Sequence, residues 1–159
     1  MHIRTGLGFD VHELKEGRPL HLGGVLIPSG KGAVGHSDAD VVIHAICDAL
    51  LGAAGMRDIG FHFSNQDERW RNADSKVFLR QVMEMISAEG WQLQNVDCTL
   101  TLEAPKINPH VEAMKTAMTP ILGIDRSALS IKATTNEGMG YVGRGEGINA
   151  MAVVLLMRP

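Results

Sequence analysis

The run from Ile148 to Met157 constrains the fold more than any other part of the chain, because it is apolar at both parities. Ile148, Ala150, Ala152, Val154 and Leu156 point one way and Met151, Val153, Leu155 and Met157 the other, the pattern of a strand buried on both faces. A chain of 159 residues amounts to one domain, and it forms too few elements to cover both faces of one sheet. Another copy of the chain is therefore expected to supply part of the cover.

The remaining elements follow from periodicity. Ile3 to Val11 alternates, with Ile3, Leu7, Phe9 and Val11 on one side and Arg4, Asp10 and His12 on the other, as a half-buried strand does. Leu20 to Leu22 and Val25 to Ile27 flank Gly23-Gly24, a dipeptide suited to a tight hairpin. A helix is expected from Ser37, its cap, to Leu51, with Val42, Ile43, Ile46 and Leu50 on one stripe. A second spans about Ser75 to Glu89, stopped by Gly90, and a third Pro109 to Leu122, stopped by Gly123 with Pro120 in its last turn. Val96 to Leu102 and Leu129 to Ala133 read as strands, and the polar, aperiodic stretch from Ser64 to Ala73 as a mobile loop. The expected fold is α+β: a mixed four- to five-stranded sheet with helices on one face and a small N-terminal hairpin, in a single domain over residues 1–159.

Composition excludes several classes. A net charge of −3, from 15 basic and 18 acidic residues, lacks the basic stripe that nucleic acid requires. No apolar run is long enough to span a bilayer and the N-terminus lacks a signal-peptide layout, so the protein is expected to be cytoplasmic. Cys47 and Cys98 form no CxxC and read as small buried side chains in a reducing compartment.

Three positions suggest metal chemistry. Asp10 and His12 are two apart on a strand and emerge on one face. His44 flanks the apolar stripe of the first helix, where a neutral imidazole needs a partner. Two imidazoles and a carboxylate leave a tetrahedral zinc one open position, as in catalytic sites, with Asp40 and Asp48, each four residues from His44, placed to orient its other nitrogen. On these residues alone, a histidine satisfied within the core remains the other reading.

The second feature is Thr134-Thr135-Asn136-Glu137 followed by a stretch with glycine at 138, 140, 143, 145 and 147. Exposed backbone N–H groups, hydroxyls, the Arg144 fork and the Glu137 carboxylate suit a diphosphate with a bridging cation. A glycine-rich hairpin between two strands is the alternative. No helix is expected after Gly138-x-Gly140-x-x-Gly143, which argues against a dinucleotide-binding fold. His36-Ser37-Asp38 stands at the expected helix start, where free N–H groups attract phosphate, although Ser37 as a simple cap explains it equally.

Taken together, Asp10-Val11-His12, His36 to Asp40 with His44, Asp58-Ile59-Gly60, Ala104-Pro105-Lys106 and Lys132 to Glu137 through Gly143-Arg144-Gly145-Glu146-Gly147 closely resemble the 2-C-methyl-D-erythritol 2,4-cyclodiphosphate synthase family, over nearly the whole chain. The resemblance implies a homotrimer of α+β subunits with active sites between neighbours, and cyclisation of a CDP-linked methylerythritol phosphate with release of CMP. It implies zinc, or another divalent cation, on Asp10, His12 and His44, and Mg²⁺ or Mn²⁺ on Glu137 with the substrate diphosphate. It places His36 and Thr135 as transition-state stabilisers and Ser37 on a phosphate. It assigns Asp58, Ile59 and Gly60 to the methylerythritol side, and Phe63, Ser64, Asn65, Gln66 and Asp67 to the substrate-binding set. The cytidine side falls on Leu102, Glu103, Ala104, Pro105, Lys106, Ile107, Asn108 and Thr134, with Asn136 near the diphosphate. Tyr141 and Arg144 match residues near the substrate and the trimer axis, where an isoprenoid diphosphate fits.

The sequence departs from the family where Pro-Asp of the mobile loop is replaced by Ser64-Asn65, which leaves backbone contacts in place of an Asp contact. From its length, a fusion to a cytidylyltransferase, known in the family, is not expected. A zinc-dependent phosphoester hydrolase and a non-catalytic isoprenoid-diphosphate binder are the competing readings of the same residues.

Overall fold

A computed structural model describes residues 1–159. The strands are β1 (His2–Glu16), β2 (Leu20–Leu22), β3 (Val25–Ile27), β4 (Lys31–Ala33), β5 (Gln92–Thr101), β6 (Leu129–Thr134) and β7 (Gly147–Arg158). The helices are α1 (Val41–Ala54), α2 (Ile59–His62), α3 (Ser75–Ala88), α4 (Val111–Leu122) and α5 (Gly140–Gly143). Five strands form one mixed sheet in the order β4-β1-β7-β5-β6, and β2 and β3 form the separate hairpin. Only β5 and β6 pair in parallel. The α+β expectation, helices on one face and a small hairpin included, is met.

The two-sided strand lies at the centre of the sheet. β7 pairs along its length with β1 and β5, and its Ile148, Ala150, Ala152, Val154 and Leu156 are buried beneath the helices. On its other face Met151 and Val153 stay exposed, beside Leu7 and Phe9 of β1 across the register Leu7↔Val153 and Phe9↔Met151.

β1 buries the side opposite to the one its apolar residues suggest. Ile3, Leu7, Phe9 and Val11 are exposed in the single chain, while Gly6 and Gly8 face α1 and are buried. The reason is steric: a Cβ on Gly6 would stand 2.0 Å from the Ala49 carbonyl oxygen. Glycine lets the helix backbone approach the strand directly, and Asp10 and His12, next along the same side, are carried under α1.

The first helix starts later than Ser37. Ala39 takes a left-handed φ of 56°, which breaks any helical path from Ser37. Asp40 is the cap, accepting from the N–H groups of Val42 and Ile43 at 3.1 Å each. The same buried carboxylate accepts from Gly23 and Gly24 at 2.9 and 2.7 Å and so ties the hairpin turn to the helix. Phosphate therefore has no free helix start at His36 to Asp38, because Asp40 already holds those donors.

Other boundaries shift by a few residues, and β4, α2 and α5 are too short for periodicity to show. The stretch from Ser64 to Ala73 holds a 3-10 turn at Glu68–Trp70, with Trp70 packed edge-on to Phe63 and Phe78. The glycine-rich segment is not a hairpin: it joins β6 to β7, which are separated in the sheet by β5. One helical turn, α5, forms within it, yet the mixed sheet still excludes a dinucleotide-binding fold. Cys47 and Cys98 are free and buried, and burial pushes both thiols up, that of Cys98 to about 12.

Candidate metal centre and adjoining pockets

The strand period puts Asp10 and His12 on one side of β1, and the glycines bring α1 down so that His44 meets them. Asp10 Oδ2 lies 2.9 Å from His12 Nε2 and 3.1 Å from His44 Nδ1, and the two imidazole nitrogens are 3.3 Å apart. Two ligand atoms at zinc-like bond lengths and a tetrahedral angle stand about 3.3 Å apart, so the three donors already have the spacing of one coordination shell.

The outer nitrogens fix the rings. His12 Nδ1 sits 3.0 Å from the Val34 carbonyl oxygen. A carbonyl only accepts, so Nδ1 carries the proton and the Nε2 lone pair faces Asp10 and His44. His44 Nε2 faces hydroxyls, Ser75 Oγ at 2.9 Å and Ser37 Oγ at 3.3 Å. Asp40 and Asp48, expected to orient this ring, do not: Asp40 is the helix cap, and Asp48 accepts from the Ile59 N–H at 2.7 Å.

The electrostatics agree with a cation site. Burial raises the Asp10 carboxyl, but hydrogen bonds and charge from His12 and His44 outweigh it and hold the group well below the usual carboxylate range. Burial lowers His12, but the Asp10 carboxylate outweighs it and raises the imidazole above its ordinary value. An anion thus faces two rings whose facing nitrogens bind either a proton or a metal.

The three donors open into a cavity of about 390 Å³. His36, Ser37, Ile59, Gly60, Phe63 and Asn65 of the expected set line it, together with Gly35, Trp70 and Phe78, which the sequence did not single out for the site. His36 is held at its wall by donating from Nε2 to the Asp67 carbonyl oxygen at 3.1 Å. Asp58 turns away to cap α2, accepting from Phe61 N at 2.8 Å. Ser64, Gln66 and Asp67 lie outside the lining, the last paired with Arg69. Val11 points to the opposite face of the sheet.

A second cavity, about 430 Å³, is lined by Leu102, Glu103, Pro105, Lys106, Ile107, Asn108, Thr134 and Thr135. Ala104 joins Pro105 by a cis peptide bond. Glu103 Oε1 accepts from Asn136 N at 2.8 Å, clamping the start of the glycine-rich segment. Glu137 takes a left-handed φ of 52° and accepts from Thr135 Oγ1 at 3.2 Å. Arg144 forks onto Glu146, and Asn149 donates to the Tyr141 hydroxyl at 2.8 Å. Within one chain no residue lines both cavities.

Comparison with known proteins agrees along the whole chain. The YgbB family model matches residues 3–157. A curated 2-C-methyl-D-erythritol 2,4-cyclodiphosphate synthase from Cytophaga hutchinsonii is 61% identical over 159 residues, covering 100% of both chains. A solved synthase of the same name, in a CDP-bound form, superposes with a TM-score of 0.90 at 42% identity, over 97% of this chain and 100% of that one. The bifunctional IspDF of Campylobacter jejuni superposes with a TM-score of 0.95 at 39% identity, over 99% of this chain and 43% of that one.

Proposed function

The chain belongs to the YgbB family of 2-C-methyl-D-erythritol 2,4-cyclodiphosphate synthases, and from that membership we propose its reaction. The 2-phosphate oxygen of 4-diphosphocytidyl-2-C-methyl-D-erythritol 2-phosphate attacks the β-phosphorus of the same molecule. The bond to the CMP phosphate breaks, CMP leaves, and 2-C-methyl-D-erythritol 2,4-cyclodiphosphate forms. This is phosphorus–oxygen lyase chemistry in non-mevalonate isoprenoid synthesis. The observation that carries it is the convergence of Asp10, His12 and His44, whose donor atoms lie within 3.3 Å of one another with the His12 Nε2 lone pair turned inward.

The nucleophile belongs to the substrate, so the protein has to align, neutralise and exclude water. Asp10, His12 and His44 would hold zinc, and Glu137 would hold Mg²⁺ or Mn²⁺ against the diphosphate. When bound, these cations supply polarisation of phosphate oxygens and charge neutralisation at the attacked phosphorus. His36 and Thr135 are assigned to donors at that phosphorus and Ser37 to a phosphate contact. Ile59, Gly60, Phe63 and Asn65 wall the methylerythritol. Leu102 to Asn108 with Thr134 form the cytidine side.

Because the two cavities are separate in one chain, the reading places the first cavity of one subunit against the second of its neighbour. The exposed apolar strip of Leu7, Phe9, Met151 and Val153 supports assembly with further copies of the chain, which we take to be a trimer. No helix is long and apolar enough to cross a membrane, and we place the enzyme in the cytosol.

Turnover in ¹⁸O-labelled water tests the reaction. A cyclic product and CMP, both free of label, are expected, because water takes no part in forming or breaking either bond. A linear phosphate carrying ¹⁸O would instead make the protein a hydrolase.

A further inference from the structure

Two residues outside the expected site complete a directional chain into it. Ser75 is fully buried at the first position of α3, with its Oγ 2.9 Å from His44 Nε2. Its hydroxyl also meets Asp38 Oδ1 in a short hydrogen bond, while the Ser75 N–H donates to Asp38 Oδ2 at 2.9 Å. Asp38, in the loop ahead of α1, thus holds the first residue of α3, whose cap is Asp74, and faces the Ser75 oxygen with a group that only accepts.

The proton count then has one solution. A hydroxyl has a single proton, and an ionised carboxylate offers none. Ser75 must give its proton to Asp38, which leaves only lone pairs for His44. The Ser75 oxygen can therefore only accept from His44 Nε2, and the ring proton is drawn to that nitrogen. The opposite pull comes from Asp10, whose Oδ2 lies 3.1 Å from His44 Nδ1 and would hold a proton there. Without the Ser75 acceptor, the neutral ring would place its proton on Nδ1, towards Asp10, and block the lone pair that a metal needs. Ser37 Oγ, at 3.3 Å from Nε2, is the longer contact, and it also receives the Ala39 N–H.

We propose that Asp38 and Ser75 are positioning residues that set the tautomer of His44, holding the proton on Nε2 so that Nδ1 is free to bind a metal. The inference rests on His44 being a ligand, and it ties the start of α3 to the metal centre. Hydrogen-bonded partners behind a ligating histidine typically govern about 10–100-fold of metal affinity.

The test uses the full-length protein with ¹⁵N-labelled histidine and has two readouts. In the metal-free protein at alkaline pH, long-range ¹H–¹⁵N correlation spectra identify the tautomer of His44, and competition with a chromophoric chelator gives zinc affinity. The wild type is expected to show Nε2–H. Ser75→Ala, which removes the acceptor, is expected to move the ring towards Nδ1–H and weaken zinc binding about 10–100-fold. Asp38→Asn, which keeps α3 in place through its amide oxygen but lets the hydroxyl turn, is expected to move both readouts the same way. Ser75→Thr, which keeps the hydroxyl, should restore both. An Nδ1–H ring in the wild type, or an unchanged tautomer and zinc affinity in both Ser75→Ala and Asp38→Asn, overturns the proposal. A wild type that shows Nε2–H, shifted in the variants, but binds no zinc would uphold the tautomer control and instead refute the ligand reading.

Discussion

Gly8 and Ala45 are in direct backbone apposition: a Cβ on Gly8 would stand 1.9 Å from the Ala45 carbonyl oxygen. Gly8 lies two residues before Asp10 on β1, and Ala45 directly follows His44 on α1. The strand-to-helix separation at this glycine therefore sets the distance between Asp10 and His44. Gly8→Ala is expected to push α1 outwards, destabilise the fold by about 1–3 kcal/mol, and weaken zinc binding in step. Chemical denaturation and chelator competition on one preparation check both effects; an unchanged zinc affinity would uncouple the packing from the site.

Asp40, the N-cap of α1, is a second joint close to the same end of the helix. Its carboxylate accepts from the backbone N–H groups of Gly23, Gly24, Val42 and Ile43. Asp40→Ala strands these donors, each buried and unpaired group costing about 1–3 kcal/mol. The midpoint of urea unfolding is expected to fall by far more than a surface helix cap would explain, whereas Asp40→Asn, which keeps one acceptor oxygen, falls less.

The ion pair at the metal centre gives a pH signature. His12, raised by Asp10 in the fold, contributes stability that is fully present below its unfolded pKa and is lost as pH rises through the folded value. Asp10, lowered in the fold, contributes stability present above its unfolded pKa and lost as pH falls through the folded value. Metal-free protein is therefore expected to draw most from this pair between about pH 4 and 6.5. Zinc competes with the His12 proton, so zinc affinity should climb with pH through the raised His12 value. Denaturation across pH with and without zinc reads both trends, and Asp10→Asn should flatten the metal-free one.

The exposed strip on the outer sheet face predicts assembly. Phe9→Glu sets a charge among Leu7, Met151 and Val153 and is expected to turn a trimer into monomers by sedimentation. Turnover should be lost while zinc affinity persists, because Asp10, His12 and His44 all come from one chain. A monomeric variant with full turnover would show that each chain holds a complete site.

The proposed sharing of sites between subunits also predicts complementation. His44→Ala disables the first cavity and Thr135→Val the second, so each alone should lose most turnover. Refolding the two variants together is expected to restore activity in mixed assemblies, where an intact first cavity of one subunit meets an intact second cavity of another. Mixtures no more active than their components would argue against a boundary site.

The convergence of the candidate metal donors was legible in the sequence because two of them obey the strand period and the third flanks a helical stripe. Asp38 and Ser75 carried no such signal: a hydroxyl 31 residues from its histidine has no local pattern. The start of α1 misled because Ser37 and Asp40 are both good caps, and only the left-handed turn at Ala39 decides between them. The buried side of β1 was disguised by glycine, which leaves no hydrophobic mark where packing is closest, while the apolar residues opposite are exposed in the single chain. The four long strands of the sheet, the hairpin and the three long helices were readable, since each is long or punctuated enough for periodicity to show, whereas the three-residue edge strand β4 was not.

Metal analysis of the purified protein after equilibration with zinc and removal of the excess tests the central claim most directly. One zinc per chain in the wild type, and none in His12→Ala at unchanged secondary structure, is the expected result. A wild type that retains no divalent cation, or a His12→Ala variant that retains as much as the wild type, would contradict it.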